Sequence, residues 1–203
     1  MKIYIATKNK NKCKEFQRIL EPMGFTVVTE NDLGRELPDV EETGETFEEN
    51  ALLKANSGLK ETGMISVADD SGLCVDYLDG APGLYSARFS GEGATYESNN
   101  LKLLAALKDV PEEKRTAVFV SCIACVFPDG RSFTVRGECH GKIAAEITEG
   151  NGFGYDPIFI SPIGVFSALS PEQKDSISHR GQSLRKFEEE LKKYMNPEDG
   201  SEC

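Results

Sequence analysis

The chain has 203 residues, 39% hydrophobic and 28% charged, a balance that excludes a disordered polymer and leaves enough apolar material for a real core. Its net charge of −11 argues against a polynucleotide as the main partner, because binding a phosphate backbone rests on a positive surface; a small anion held in a local basic pocket stays open. Six scattered cysteines do not make a secreted disulfide framework, no apolar run approaches the roughly 20 residues that span a bilayer, and MKIYIATKNK lacks the apolar stretch of a signal peptide, so a cytoplasmic protein without membrane contact is expected.

In chain order, KIYIA (Lys2 to Ala6) reads as a buried strand, followed by a polar loop and a helix through KCKEFQRILEPMG. Phe16, Ile19, Leu20 and Met23 fall on one face of that helix, and Gly24 is its expected stop. FTVV begins a second strand. Thr46 and Glu49 stand at capping-box spacing, so TFEENALLKANSGLKETG is a second helix. ISVA is then a third strand that ends at Asp69 and Asp70, and the alternation of strand and helix predicts an α/β layer. After a further helix in NNLKLLAALKDV, the runs TAVFVSCIACVF and SFTVRGECHG flank the turn PDG as a long hairpin. Residues 1–196 are expected to form a single domain of two lobes, the second sheet-rich and covering roughly 112–160, with a polar tail at 197–203. The last stretch, SPEQKDSISHRGQSLRKFEEELKKYM, reads as helix interrupted at SHRG. Cys122 and Cys125 form a C-x-x-C with no second ligand pair, which fits buried reduced thiols better than zinc or redox chemistry.

Three clusters carry potential chemistry. In VADDSGL, two carboxylates crowd what reads as a strand end, which calls either for a cation and hydrogen-bond donors or for a solvated turn. Lys8, Lys10, Lys12 and Lys14 gather around the start of the first helix, where positive charge opposes the helix dipole; a bound polyphosphate would resolve the conflict, and a solvated lysine face is the alternative. The glycine spacing of a Walker loop is absent. Glu41, Glu42, Glu45, Glu48 and Glu49 suit the N-terminal turn of a helix, and one or two of them can join Asp69 and Asp70 around Mg²⁺, which prefers oxygen ligands and bridges substrate phosphates. Farther on, GNGFGYDPIF offers Phe153 or Tyr155 for stacking on a flat ring, or else a tight turn. SHRG sets His179 and Arg180 beside Gly181, as ligands or as a helix cap, and Lys174 is either a ligand or a surface lysine.

Five blocks in order, T-x-N-x-x-K (Thr7, Asn9, Lys12), EETGETFEENA, ADDSGL with GAPGLYSARFSGE, GFGYDP and SHRG, resemble the Ham1 or inosine triphosphate pyrophosphatase family over nearly the whole chain. The resemblance implies an elongated α/β fold with a long mixed sheet flanked by helices, two lobes with a central active-site cleft, and a homodimer. It implies Mg²⁺-dependent hydrolysis of non-standard purine nucleoside triphosphates (ITP, dITP, XTP) to the monophosphate and pyrophosphate. By motif, Thr7, Asn9 and Lys12 would hold the triphosphate, with Lys8, Lys10 and Asn11 of the same loop among the substrate-binding residues. Asp70 would be metal ligand and general base, Glu41 or Glu42 the second metal carboxylate, and Asp69 and Lys54 catalytic neighbours, with Lys54 and Ser71 touching substrate. Phe153, Gly154, Tyr155, Asp156, Lys174, His179 and Arg180 would form the base pocket. Lys8 and Asn11 stand where many relatives carry glycine, and the 163–169 segment is shorter than usual for the family. A pyrophosphatase for pyrimidine or modified nucleotides, or a non-catalytic nucleotide-binding protein, would share parts of this pattern. The GFGYDP and SHRG blocks favour purines, and Glu41, Glu42, Asp69 and Asp70 together favour catalysis.

Overall fold

The computed structural model describes residues 1–195. The chain runs β1 (Lys2–Ile5), α1 (Lys10–Leu20), β2 (Thr26–Val28), a single turn α2 (Glu30–Leu33), α3 (Phe47–Thr62) and β3 (Ile65–Val75). Two 3₁₀ turns, Asp76–Leu78 and Gly83–Arg88, lead to α4 (Tyr96–Ala106). Then come the hairpin strands β4 (Thr116–Val126) and β5 (Ser132–Ile143), the short strands β6 (Phe159–Ser161) and β7 (Gly164–Val165), and the helices α5 (Pro171–Ile177) and α6 (His179–Met195).

All seven strands belong to one sheet in the order β2-β1-β3-β4-β5-β6-β7. β1 is parallel to both neighbours, Ile3 facing Val27 on one side and Ile65 on the other, and parallel strands need crossovers of the kind α1 and α3 supply. At the other end, β6 is antiparallel to β5 and β7. The result is the expected mixed α/β sheet flanked by helices.

Local sequence explains most of the element ends. Asn9 caps α1 by accepting from the backbone of Asn11 and Lys12, and Phe16 and Leu20 bury its apolar face with Ile19 and Met23 at the margin. The helix stops at Leu20, four residues before Gly24; that glycine, at φ +85°, closes the following turn instead. The predicted box on α3 is present: Thr46 Oγ1 accepts from Glu49 N at 3.1 Å, and Glu49 Oε2 accepts from Thr46 N at 3.3 Å. Gly58 lets α3 lie close on the sheet, since a Cβ there would sit 2.4 Å from Ser66 Oγ and 2.8 Å from the Tyr4 ring.

The described residues fold as two compact units, the first comprising Met1–Asp70, Cys122–Arg136 and the described residues from Ser183 onward, the second Ser71–Ser121 and Gly137–Gln182. Each has its own core. Ile3, Ile5, Phe16, Leu20, Val67, Ile123, Phe187 and Leu191 pack in the first, and Leu73, Leu103, Phe119, Ile143, Ile158, Phe159 and Phe166 in the second. Burying each such side chain contributes about 1.5–3 kcal/mol, so neither unit lacks an apolar interior. Cys122 and Cys125 are buried in the first unit as free thiols, and burial raises the pKa of both.

One expectation is corrected. The third strand does not end at the aspartates but continues through Asp69 and Asp70 to Val75. The reason is burial: from Ile65 to Asp70 every residue is inside, and backbone removed from water keeps its hydrogen bonds by staying in the sheet. The polar tail at 197–203 lies outside the described residues. Among those described, no helix is long and apolar enough to cross a membrane.

Candidate active site

Successive side chains of a strand point to opposite faces, so Asp69 and Asp70 point away from each other, although each carboxylate still acts on, or feels, the other's lysine. Each meets its own lysine. Lys12, from the first turn and a half of α1, is 2.9 Å from Asp69, whose side chain is fully buried. Lys54, from the middle of α3, is 2.8 Å from Asp70 Oδ1 and 2.9 Å from Glu42 Oε1. The capping box and Gly58 hold α3 on the sheet, and this brings Lys54 over β3.

The electrostatics of this first-unit cluster follow from burial and pairing. Burial pushes the Asp70 carboxyl above the ordinary aspartate range; Lys54 and Lys12 pull it down, Glu42 pushes it up, and the net shift is upward. For Lys54, burial disfavours the charged form, but Asp70, Asp69 and Glu42 more than offset it and the ammonium is held more firmly than in water. Glu42 is the glutamate of the loop that converges with Asp70 through Lys54, whereas Glu41 is exposed and is not among the groups that Lys54 joins. Among the described residues, no group of three or more His, Cys, Asp or Glu is arranged to hold a metal ion. Two convergent carboxylates suit a cation that takes its remaining ligands from phosphate and water.

In the lysine-rich loop, N–H groups of the first turn of α1 are already bonded within the chain. Asn9 Oδ1 already accepts from Asn11 N at 2.9 Å and Lys12 N at 3.4 Å, and Thr7 Oγ1 accepts from Asn9 N at 3.2 Å. The helix-capping preference of Asn therefore takes the first-turn donors, and Thr7 and Asn9 shape the loop. What remains for an anion is the lysine side chains. Lys8 forms an exposed pair with Asp39 at 2.5 Å, Lys10 and Asn11 are exposed, and Thr7, Lys8, Lys10, Lys14 and Arg35 border a cavity of about 750 Å³ with Glu30 and Glu36.

The second unit gathers the GFGYDP and SHRG residues. Asp156, nearly fully buried, accepts from Phe153 N at 2.8 Å and pairs with Lys174 at 2.5 Å. The Lys174 ammonium lies 5.1 Å from the centre of the Phe153 ring and 5.4 Å from that of Phe166, and the Arg180 guanidinium 5.6 Å from that of Phe153. Arg180 also donates to Ser71 Oγ at 3.0 Å. Lys174 is thus a mostly buried, paired lysine and not a surface one.

Two residues of this group are buried against the fold. Tyr155 is buried, donates to the Ser86 carbonyl at 2.8 Å, and has its phenol pKa raised by burial, so Phe153 is the aromatic left half-exposed. His179 is buried and stacked flat on Phe119, ring centres 4.6 Å apart. The glycine of SHRG serves close approach: a Cβ on Gly181 would overlap the Asp175 carbonyl, 1.9 Å away. Asn100, Ser86, Phe119 and Phe166 support these residues and escaped the reading of the sequence. Asn100 donates to the Gly154 carbonyl at 3.0 Å, and its signal was a pair of asparagines directly before the leucine-rich stretch of α4, where a buried amide needs a partner.

The Ham1 family matches residues 3–190, and the chain belongs to that family. It is 47% identical over 192 residues to the dITP/XTP pyrophosphatase of Geobacter sulfurreducens, covering 94% of this chain and 96% of that protein. To the dITP/XTP pyrophosphatase of Desulforamulus reducens it is 46% identical, over 98% of this chain and all of the relative. Among solved structures it is similar to the Staphylococcus aureus Ham1 protein, with a TM-score of 0.85 and 39% identity over 95% of this chain and 98% of the other. It is also similar to the dITP/XTP pyrophosphatase from Mycobacterium abscessus, with a TM-score of 0.77 and 46% identity over 92% and 98%.

Proposed function

We propose that this protein is a nucleoside triphosphate pyrophosphohydrolase that converts ITP, dITP and XTP to the monophosphate and pyrophosphate, with Mg²⁺ as its metal. The observation that carries the reading is Lys54 bridging Asp70 and Glu42 at 2.8 and 2.9 Å. An ammonium standing between two carboxylates marks a position already built for positive charge. That donor set suits Mg²⁺, which commonly takes one or two protein carboxylates and completes its shell with phosphate oxygens and water. Full-length similarity to dITP/XTP pyrophosphatases supports the substrate class.

Asp70 and Glu42 would hold the metal, which when bound supplies positive charge to the triphosphate and lowers the pKa of water. Asp70, its pKa raised by burial, accepts the proton of the attacking water. The water oxygen bonds to the α-phosphorus as the bond from that phosphorus to the bridging oxygen breaks, and the electron pair leaves on pyrophosphate. Lys12 and Lys54 stabilise the charge that develops there. Asp69, sealed against Lys12, is a positioning residue that aims that lysine.

The second unit's cluster supports recognition of the base. Phe153 offers an aromatic face, and Arg180 has only donors, which suit the O6 acceptor of hypoxanthine and xanthine. Adenine would set an amino donor against a donor, leaving buried groups unpaired at about 1–3 kcal/mol each. A cytoplasmic location belongs to the same reading, since the free nucleotide pool is its substrate, and a homodimer is what the family resemblance implies.

The test is release of pyrophosphate and orthophosphate, with and without Mg²⁺, from ITP, XTP, dITP, ATP, GTP and TTP. Mg²⁺-dependent pyrophosphate release confined to ITP, dITP and XTP is the expected result. Orthophosphate as the primary product, or no turnover on any of the six, would leave a nucleotide-binding protein in its place.

A further inference from the structure

We infer that Lys54 is an internal counter-cation: in the free protein it occupies the two carboxylates that take the metal, and it yields them when metal and triphosphate arrive together. The inference rests on the metal-dependent reading proposed above and concerns the order in which the site is filled.

The side chains of Asp70, Glu42 and Lys54 are 12%, 26% and 17% exposed, so all three charges sit largely out of water. Two carboxylates facing one another there repel unless a cation lies between them. Lys54 supplies that cation with donors enough for both. Its nitrogen stands 2.8 and 2.9 Å from the two oxygens, a hydrogen-bond distance, whereas Mg²⁺ binds oxygen at about 2.0–2.1 Å. A divalent ion set between the same two carboxylates would face the Lys54 ammonium in a site largely out of water, and repulsion between the two cations drives Lys54 away when metal enters. A lysine can do this, because its charge rides on a flexible four-carbon stem.

Where the ammonium goes decides the energetics. A metal ion arriving alone would strand a mostly buried ammonium without a carboxylate, and breaking a buried pair in this way is unfavourable. A metal ion arriving on a triphosphate brings the anion that the displaced lysine needs. Free-protein metal affinity is therefore suppressed, and metal and triphosphate strengthen each other's binding, a coupling that is necessarily reciprocal. Lys12 provides the contrast. Its partner Asp69 is sealed on the opposite face, so nothing requires Lys12 to leave when the metal comes.

The test is Mn²⁺ binding to the full-length protein without nucleotide, by electron paramagnetic resonance and calorimetry, in wild type, Lys54→Met, Lys54→Arg and Lys12→Met. Lys54→Met is expected to bind Mn²⁺ about 10-fold or more tightly than wild type, within the usual range of such couplings. Lys54→Arg, which keeps the counter-cation, is expected to match wild type, and Lys12→Met, which removes an equal charge from the other face, to gain less than Lys54→Met. If circular dichroism shows Lys54→Met unfolded, Lys54→Gln takes its place, keeping hydrogen-bond donors without charge. Unchanged or weaker Mn²⁺ binding by the uncharged variant overturns the inference, as does an equal gain in Lys54→Arg. A parallel titration with the slowly hydrolysed α,β-imido analogue of ITP separates the two levels. Tight Mn²⁺ binding with the analogue and no gain in Lys54→Met overturns the counter-cation role alone; no Mn²⁺ binding by any protein in either condition overturns the metal-dependent reading together with it.

Discussion

Asp69 and Asp70 are chain neighbours of identical chemistry, yet one is a sealed carboxylate bonded to Lys12 and the other shares Lys54 with Glu42 and keeps a route to solvent. The difference is one step of strand alternation. A single residue along β3 changes the face, the helix that supplies the lysine, and the number of carboxylates the lysine must serve. On the Asp69 face one positive and one negative charge cancel, which is a structural bond. On the Asp70 face two carboxylates share one lysine, which on the proposed reading is where a further cation enters. Adjacent acidic residues in a sequence thus need not act as a pair.

The contrast can be broken most directly at Asp70. Asp70→Asn is expected to lower kcat by about 10²- to 10⁴-fold, the usual range for a positioned acid or base, while the protein unfolds at nearly the wild-type denaturant concentration. Pyrophosphate release and urea titration check the two halves, and near-normal turnover would remove Asp70 from its proposed role. Asp69→Asn is expected to show the reverse emphasis. Leaving the Lys12 ammonium without its buried carboxylate costs about 3–5 kcal/mol by analogy with other broken buried pairs, read as a lower urea midpoint. The double variant with Lys12→Met should recover part of that loss, because it removes the stranded charge.

The second carboxylate of the open face sharpens the contrast. Glu42→Gln is expected to raise the Mg²⁺ concentration needed for half-maximal turnover by about 10- to 100-fold, a range typical of weakened metal sites. Glu41→Gln should leave it unchanged, since Glu41 does not join the cluster. A third buried-side carboxylate, Glu48, gives a pH signature. Burial pushes its pKa up, but hydrogen bonds from the Cys122 thiol and Arg136, both at 3.0 Å, outweigh burial and hold it below the ordinary glutamate range. A carboxyl depressed on folding contributes stability above its unfolded pKa, near 4.3, and loses it as pH falls through the folded value. Glu48→Gln should therefore be less stable than wild type at pH 7, with the gap closing in acid, as urea titrations across pH would record. At the bottom of the scale, Lys8→Ala breaks only the exposed pair with Asp39 and should leave thermal unfolding where it was, since such pairs contribute little.

Local rules were legible where the physics is local. The periodicity of Phe16 and Leu20 sets the buried face of α1, Thr46 and Glu49 announce the start of α3, and the PDG turn between two β-branched runs announces the hairpin. The candidate site was legible as residue types in order, because TxNxxK, ADDSGL, GFGYDP and SHRG each put polar or glycine residues where packing alone does not ask for them. Its inner geometry was not. Asp and Ser after an apolar run favour a turn by their own propensity, and only burial of the flanking residues in the sheet carries β3 onward to Val75. In the same way, His179 and Tyr155 carry polar tips that suggest ligands, and their stacking on Phe119 and bonding to Ser86 depend on residues 60 and 69 positions away.

The sequence by itself determined the α/β class, the order of the elements, the family and the set of residues available for chemistry, since these depend on periodicity, capping and composition within short windows. Only the tertiary structure decided that Lys12 answers Asp69 and Lys54 answers Asp70, that Glu42 rather than Glu41 completes the open face, and that Phe153 rather than Tyr155 stays accessible. Those outcomes depend on which helices the sheet brings over β3 and on which side chains its packing seals from water, and neither is written in any neighbouring residue.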